Sequence, residues 1–393
     1  MAANTISSSL QENVVILGTE ALSQSFALLD GVQMNATPDP GNRGESYNVA
    51  KYATLTSGSV TAANVSPDVD AVTLNANTIT LANHEKAAFK MTGREFQGNN
   101  LDPLFANQVK EAVRAVVFGV NANIWALYKK APYLAGDASR SIFNNGSTAS
   151  TDGIASVGKV LRDNLVPDSR WKMFISPTEE LNAKKVATLV QANTFGSRDV
   201  IYDGYIGRVM GFDIAVDQQV PTHTTGTITT GLITKAATAI AVGATTFTAT
   251  TAASTGACAL KTGDIISIGG YTYALSADAT QASAATDVTL SIYGGIRGSA
   301  LAGGEAITLA TGHGTGEIGI AGDMSGFGLV NRIEASSFYG NNTLGNKMIF
   351  THPTGFSLVM GLYEQYHQAM WEVSCLYGTN VIDERKLCRV LGA

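Results

Sequence analysis

The chain has 393 residues, 45% of them hydrophobic and only 15% charged, against the quarter usual in soluble domains; two or three domains with ample cores are expected at this length. A formal net charge of −6 argues against nucleic-acid binding as the main task, because Lys and Arg supply affinity for phosphate. With 41 Gly and much Ala, Thr, Ser and Asn, the surface must be rich in small neutral groups, which suits extensive protein–protein contact.

Residues 1–43 read as an N-terminal arm. They open polar, carry a short amphipathic helix over Gly18 to Leu29, and close at Pro38, Pro40 and Gly41. The start, MAANTISSSLQENVV, lacks a basic n-region and an apolar h-region, so no secretory signal is expected. No apolar run is long enough to span a bilayer, and intracellular synthesis is expected. Residues 44–96 read as an extended two-stranded excursion. Ala87, Phe89 and Met91 alternate with Lys86, Ala88 and Lys90, and Ser57 to Asp70 forms a small, polar tip.

Residues 97–149 hold the longest helix-periodic run, Leu101 to Tyr133. Leu104, Phe105, Val109, Ala112, Val113, Val116, Val117, Val120, Ile124 and Leu127 recur at spacings of three and four, which stacks them on one face. Asp102-Pro103 is a start signal and Pro132 the stop. Such a helix runs about 40 Å at ~1.5 Å per residue, a rod on which an extended subunit can be built.

Residues 150–221 form an α/β unit. Thr151 or Asp152 caps a helix with Ile154, Val157, Leu161 and Leu165 facing inward, and Pro167 follows its end. After a strand over Arg170 to Ile175, Ser176-Pro177-Thr178-Glu179 matches a capping box, and its helix carries Leu181, Val186, Leu189 and Val190. A strand over Ile206 to Val216 closes the unit. At Pro221 the composition changes: from Thr222 to Gly263 the only charged side chains are Lys235 and Lys261. Short β runs follow one another at Thr227–Ile233, Ala239–Val242, Thr246–Thr250, Asp264–Ile268, Tyr271–Leu275, Val288–Ile292 and Ala306–Leu309, with Gly269-Gly270 as a two-residue hairpin loop. This pattern predicts an inserted β-barrel over residues 222–318. Residues 319–393 return to the main body, with strands over Asn346–Phe350, Phe356–Leu362, Ala369–Tyr377 and Leu387–Leu391.

No catalytic, cofactor-binding or metal-ligating set stands out. Gly314-Thr315-Gly316-Glu317-Ile318-Gly319 matches G-x-G-x-x-G, but a dinucleotide site needs a helix opening at the third glycine, and a flexible joint suits this stretch better. Glu364-Gln365-Tyr366-His367 has one E-x-x-H where di-iron chemistry needs two copies and further Glu residues. His84, His223, His313, His352 and His367 are scattered without ligand spacing, and Cys258, Cys375 and Cys388 read as inert thiols.

The order of parts resembles the major capsid (coat) protein of tailed bacteriophages, whose fold is shared with herpesvirus shells, and within it the short-tailed Salmonella-phage coat type. Val209-Met210-Gly211-Phe212-Asp213 leading to Val220-Pro221, the run Ala259 to Gly270, Asn346 to Leu362, and Leu376-Tyr377-Gly378-Thr379-Asn380 carry the resemblance. It covers nearly the whole chain, and the order of its motifs persuades more than any one of them. Asp383-Glu384-Arg385-Lys386 is more charged than the family leads one to expect, and a long, fused scaffold-like N-terminal extension is not expected.

The resemblance implies an α+β coat fold with a spine helix in 97–149, an extended loop over 44–96, an axial domain from 150–221 and an inserted barrel over 222–318. It implies a non-enzymatic protein that assembles with itself, as hexamers and pentamers of an icosahedral shell. The shell encloses double-stranded DNA without sequence-specific binding, has no membrane, and is made in the host bacterial cytoplasm. A separate scaffolding protein, a portal and a decoration protein are the implied partners. Some shells of this fold join a lysine to a neighbour's asparagine with a glutamate as base. Lys51, Lys86, Lys90, Asn380 and Glu384 supply the residue types, but Lys86 and Lys90 fall on the polar face of their strand, and no crosslink is expected. The alternative is another β-rich phage structural or adhesion protein, which accounts for the barrel but not for the spine helix.

Overall fold

The computed structural model describes residues 28, 31–51, 75–96, 101–136, 141–145, 148–168, 171–190, 206–228, 231–235, 239–251, 258–281, 286–334, 347–352 and 355–392. Among these, 33–117 and 327–383 form one compact unit, and 118–326 with 384–392 form the core of a second. The division falls inside the long helix, Leu101–Trp125, which continues as a 3-10 turn over Ala126–Lys130. Every inward residue expected from Phe105 to Leu127 is buried, and Asn121, Trp125 and Tyr128 are buried with them. The strand Tyr133–Gly136 begins one residue after Pro132, the expected stop.

The first unit is a six-stranded sheet. Gln33–Gly41, Phe327–Glu334, Gln368–Val381, Ser357–Gln365 and Lys347–Thr351 lie side by side, and Asn83–Thr92 also pairs with Gln368–Val381. The strand Gln33–Gly41 lies in what reads from sequence as an arm. It runs parallel to Phe327–Glu334 at the sheet's edge, with a break in register between Ala36 and Pro40. An edge is where strand prolines are tolerated, since they cannot donate to a ladder. Phe89 stacks on Trp371 at 5.5 Å, and Phe105 of the long helix meets Trp371 edge-on at 5.1 Å. Asn331 satisfies the sheet's interior: its Nδ2 donates to Ser357 O and Leu376 O, both at 3.2 Å, and its Oδ1 accepts from Ser357 N at 2.8 Å.

The excursion is shorter than 44–96. Ser46–Lys51 pairs with Asn75–Thr80 from Ser46 opposite Thr80 to Lys51 opposite Asn75, whereas Asn83–Thr92 belongs to the body sheet. The hairpin's base is anchored by Ile79, which packs with Leu81, Val330, Leu376 and Ile382. The expected tip, 57–70, and the expected helix over 18–29, apart from Leu28, lie outside the described residues.

The second unit joins a mixed sheet to a barrel. Tyr133–Gly136, Leu387–Gly392, Gly316–Asp323, Trp171–Ile175, Phe212–Val216 and Arg208–Val209 lie in that order, with Thr222–His223 paired to Gly316–Asp323. The helix Asp152–Asp163 buries Ile154, Val157 and Leu161 in a core with Phe143, Trp171 and Phe212. The barrel is three small three-stranded sheets around a core of its own, including Leu232, Phe247, Leu260, Ile266, Tyr273, Leu290 and Ile307. Gly269 and Gly270 have φ of 56° and 81°, and Ile268 pairs with Tyr271 across them, as a two-residue hairpin requires.

Several expectations are corrected here. Leu165 does not face inward: it is 86% exposed with φ of 58°. The helix stops at Asp163, and Leu165 N–H and Val166 N–H bond back to Arg162 O and Leu161 O. That is a Schellman end whose left-handed position, usually glycine, holds a leucine. The capping box is half made: Ser176 Oγ accepts from Glu179 N at 3.2 Å, but the Glu179 carboxylate turns away to accept from Ser141 Oγ. Residues 316–323 are a strand within the sheet and not a loop or flexible joint. With 222–223 and 316–318 committed to that sheet, the barrel proper is shorter than 222–318. Ala239–Val242 forms only a bridge at Ile240, and the strands Cys258–Leu260 and Ala279–Gln281 are additional.

Candidate functional site

The polar centre of the second unit lies where the barrel meets the mixed sheet. Arg389, on the strand Leu387–Gly392, is 0% exposed. Its Nη2 donates to Lys129 O at 2.8 Å, its Nη1 donates to Gly263 O, and its guanidinium lies 5.3 Å from the Tyr128 ring centroid. The 3-10 turn ending the long helix makes this possible by tucking Tyr128 inside and presenting the Lys129 carbonyl. Asp264 follows Gly263 in a tight turn and is fully buried. Its Oδ2 accepts from Lys261 N at 2.7 Å and from Gly226 N at 3.0 Å. A Cβ on Gly226 would stand 2.2 Å from Ala259 O, so only glycine brings that amide to the carboxylate. The Oδ1 atom lies 2.9 Å from His223 Nε2 and 3.2 Å from His313 Nε2. Tyr128 Oη is 3.0 Å from His223 Nδ1 and fixes the ring from its far side.

Burial pushes the Asp264 carboxyl up, but hydrogen bonds from His223, His313 and the Lys261 and Gly226 amides outweigh it and hold the group well below the usual carboxylate range. Burial lowers His313 despite its contact with Asp264. It also pushes the Arg389 guanidinium down to about 10, with Tyr128 and Asp264 opposing. A second buried set ties the helix end to the sheet. Asp217 Oδ2 accepts from Asn121 Nδ2 at 2.9 Å and Trp125 Nε1 at 3.0 Å, and Asn121 Nδ2 also donates to Gln219 Oε1 at 2.7 Å. A third is Glu179, buried, whose Oε1 has no hydrogen-bond partner.

The histidines read as scattered are not all so. The ladder between Thr222–His223 and Gly316–Asp323 brings His223 and His313 to one carboxylate, while His367 sits on an exposed turn with φ of 52°. Cys258, Cys375 and Cys388 are buried free thiols, pushed up by burial, Cys388 to about 12. Lys86 and Lys90 are exposed, Lys86 lying 3.9 Å from Glu372. Asn380 Nδ2 donates to Thr78 O at 2.9 Å, which engages the amide a crosslink would need. The side chain of Lys51 lies outside the described residues. No described helix is long and apolar enough to cross a membrane.

No protein-family model and no curated protein matches the chain. Among solved structures it is similar to the capsid of cyanophage P-SCSP1u, at 11% identity over 93% of this chain and 88% of that one, with a TM-score of 0.49. It is similar to the bacteriophage PhiM1 mature capsid at 10% identity over 93% and 87%, TM-score 0.47. It is also similar to a virus-like particle from Pyrococcus furiosus at 8% identity over 97% and 99%, TM-score 0.44. Likenesses this shallow carry no argument by themselves.

Proposed function

We propose that this chain is the major capsid protein of a tailed bacteriophage, many copies of which form an icosahedral shell around double-stranded DNA. The observation that carries the reading is the order of parts. A hairpin, Ser46–Lys51 with Asn75–Thr80, pairs with no third strand among the described residues. A 25-residue helix follows, then an α/β layer interrupted by a barrel with its own core, then strands that return to both sheets. A two-stranded hairpin is marginal in water and needs a surface to lie on; a neighbouring subunit provides one. The low charge and small side chains read from composition suit close approach of many copies, and a net-negative wall does not trap packaged DNA.

In its finer form the reading is the inserted-barrel coat type of short-tailed Salmonella phages. It includes hexamers and pentamers, a separate scaffolding protein, a portal and a decoration protein, with assembly in the host cytoplasm and no catalytic step. Sedimentation and negative-stain microscopy of the chain expressed with and without its phage's scaffolding protein test the reading. Shells or capsomer-sized rings are expected, and a protein that stays a monomer at high concentration under both conditions overturns it.

A further inference from the structure

We propose that His223 Nε2, Asp264 Oδ1 and His313 Nε2 form a binding site for one divalent transition cation of the zinc class, which staples the barrel to the mixed sheet. The three atoms lie within 4.8 Å of one another and come from three separate segments: the strand Thr222–His223, the turn before Ile265–Ile268, and the loop that precedes Gly316–Asp323. Two of the separations, 2.9 Å and 3.2 Å, are close to the edge of a zinc coordination tetrahedron; bonds of about 2.0–2.1 Å set that edge at about 3.3–3.4 Å.

The surroundings are those of a prepared ligand set. Both amide donors to Asp264 bind Oδ2, which leaves Oδ1 turned toward the two imidazoles. Tyr128 Oη holds His223 Nδ1, and such outer bonds fix the tautomer and aim the other nitrogen. His313 is in conflict without a cation. Its Nε2 is 3.2 Å from a carboxylate oxygen and 3.3 Å from the Ile265 N–H, so one neighbour demands a proton there and the other a lone pair. Its Nδ1 is buried with no hydrogen bond. A cation accepts lone pairs from Nε2 and Oδ1 together, and the long Ile265 contact is the one it displaces. No hydrogen bond at Nδ1 opposes the small turn of the ring that closes the triangle.

Charge narrows the choice of ion. The Arg389 guanidinium, which donates to the carbonyl of Gly263 next to Asp264, already sets a positive charge against that carboxylate, so the site has little charge to spare for an alkaline-earth ion bound by oxygen and charge alone. Two imidazoles favour an ion that binds nitrogen strongly, such as Zn2+ or Co2+.

The test uses the full chain, refolded from denaturant with chelator or with a slight excess of Zn2+ or Co2+, because the three side chains are buried and loading must accompany folding. One metal per chain is expected after gel filtration, with a visible Co2+ absorption of tetrahedral type and a higher melting temperature than the chelated protein. His313→Ala should lose the stoichiometric ion and the absorption. Tyr128→Phe keeps all three ligands and should weaken binding by about 10–100-fold, the usual effect of removing an outer hydrogen bond. Failure of the wild-type chain to retain metal overturns the proposal, as does undiminished loading of His313→Ala. If His313→Ala does not refold, the wild-type spectrum and stoichiometry with Tyr128→Phe decide. The result is independent of whether the chain forms shells.

Discussion

Leu165 holds a left-handed backbone with its side chain 86% exposed. A non-glycine residue held left-handed costs about 1–2 kcal/mol, and glycine returns about 0.5–1 kcal/mol of that to the unfolded chain as entropy. Leu165→Gly should therefore stabilise the subunit by about 0.5–1 kcal/mol, seen as a higher denaturant midpoint at unchanged slope; a lower midpoint would show that the exposed leucine is held by something stronger. Glu179 makes a second residue-scale prediction. Burial raises its carboxyl above the ordinary 4.5, with Glu317 adding to the shift and Ser141 opposing it. A folded value above the unfolded one means stability that is present below 4.5 and is lost as pH rises through the raised value. The melting temperature should fall across that window in the wild type and stay flatter in Glu179→Gln, and equal slopes would refute the assignment. These features were poorly legible in sequence. Leu165 continues a helical period that the backbone abandons two residues earlier, and Glu179 satisfies the capping-box spacing while its carboxylate serves Ser141. The His223, Asp264 and His313 cluster has no local spacing to find, because strand pairing alone brings it together.

At the scale of elements, periodicity succeeded where one face is buried against one core. The long helix announced its inward face from Phe105 to Leu127, and the Gly269-Gly270 pair announced a hairpin whose two positions have positive φ. The strand Gln33–Gly41 escaped notice because Pro38 and Pro40 read as breakers, whereas at a sheet edge they merely omit donors. The strands Cys258–Leu260 and Ala279–Gln281 are too short for a period to show. The barrel's separate core supports a further prediction. Residues 224–315 expressed alone should melt cooperatively with β-type circular dichroism, since the described residues of their core all lie within that stretch; a random-coil spectrum would show that the sheet is needed to hold them. The hairpin supports another. Replacing 57–70 with a short turn should leave the subunit's melting temperature within a few degrees of wild type and abolish shell formation, whereas normal shells would remove the hairpin from the assembly mechanism.

For the molecule as a whole, Asn380 is engaged with Thr78, and Lys86 and Lys90 are solvated. Boiled, reduced particles should therefore run as a single band near 41.0 kDa; a ladder of multimers would overturn the expectation of a shell held without covalent links. The topology of the first unit also bears on how the protein is made. Gln33 pairs with Gly328, and Asn83 with Tyr377, so the six-stranded sheet joins the first quarter of the chain to the last. At ~5–20 residues per second a ribosome takes roughly 15–60 s to bridge such a gap. The barrel, whose pairings all lie within one continuous stretch, can fold during that wait. The strands Gln33–Gly41 and Asn83–Thr92 cannot, and their edges stay open to other nascent chains until residues 334 and 377 have emerged. Slowing translation should therefore increase aggregation without changing the stability of the finished subunit, and a chaperone that covers these two strands during synthesis should suppress the effect.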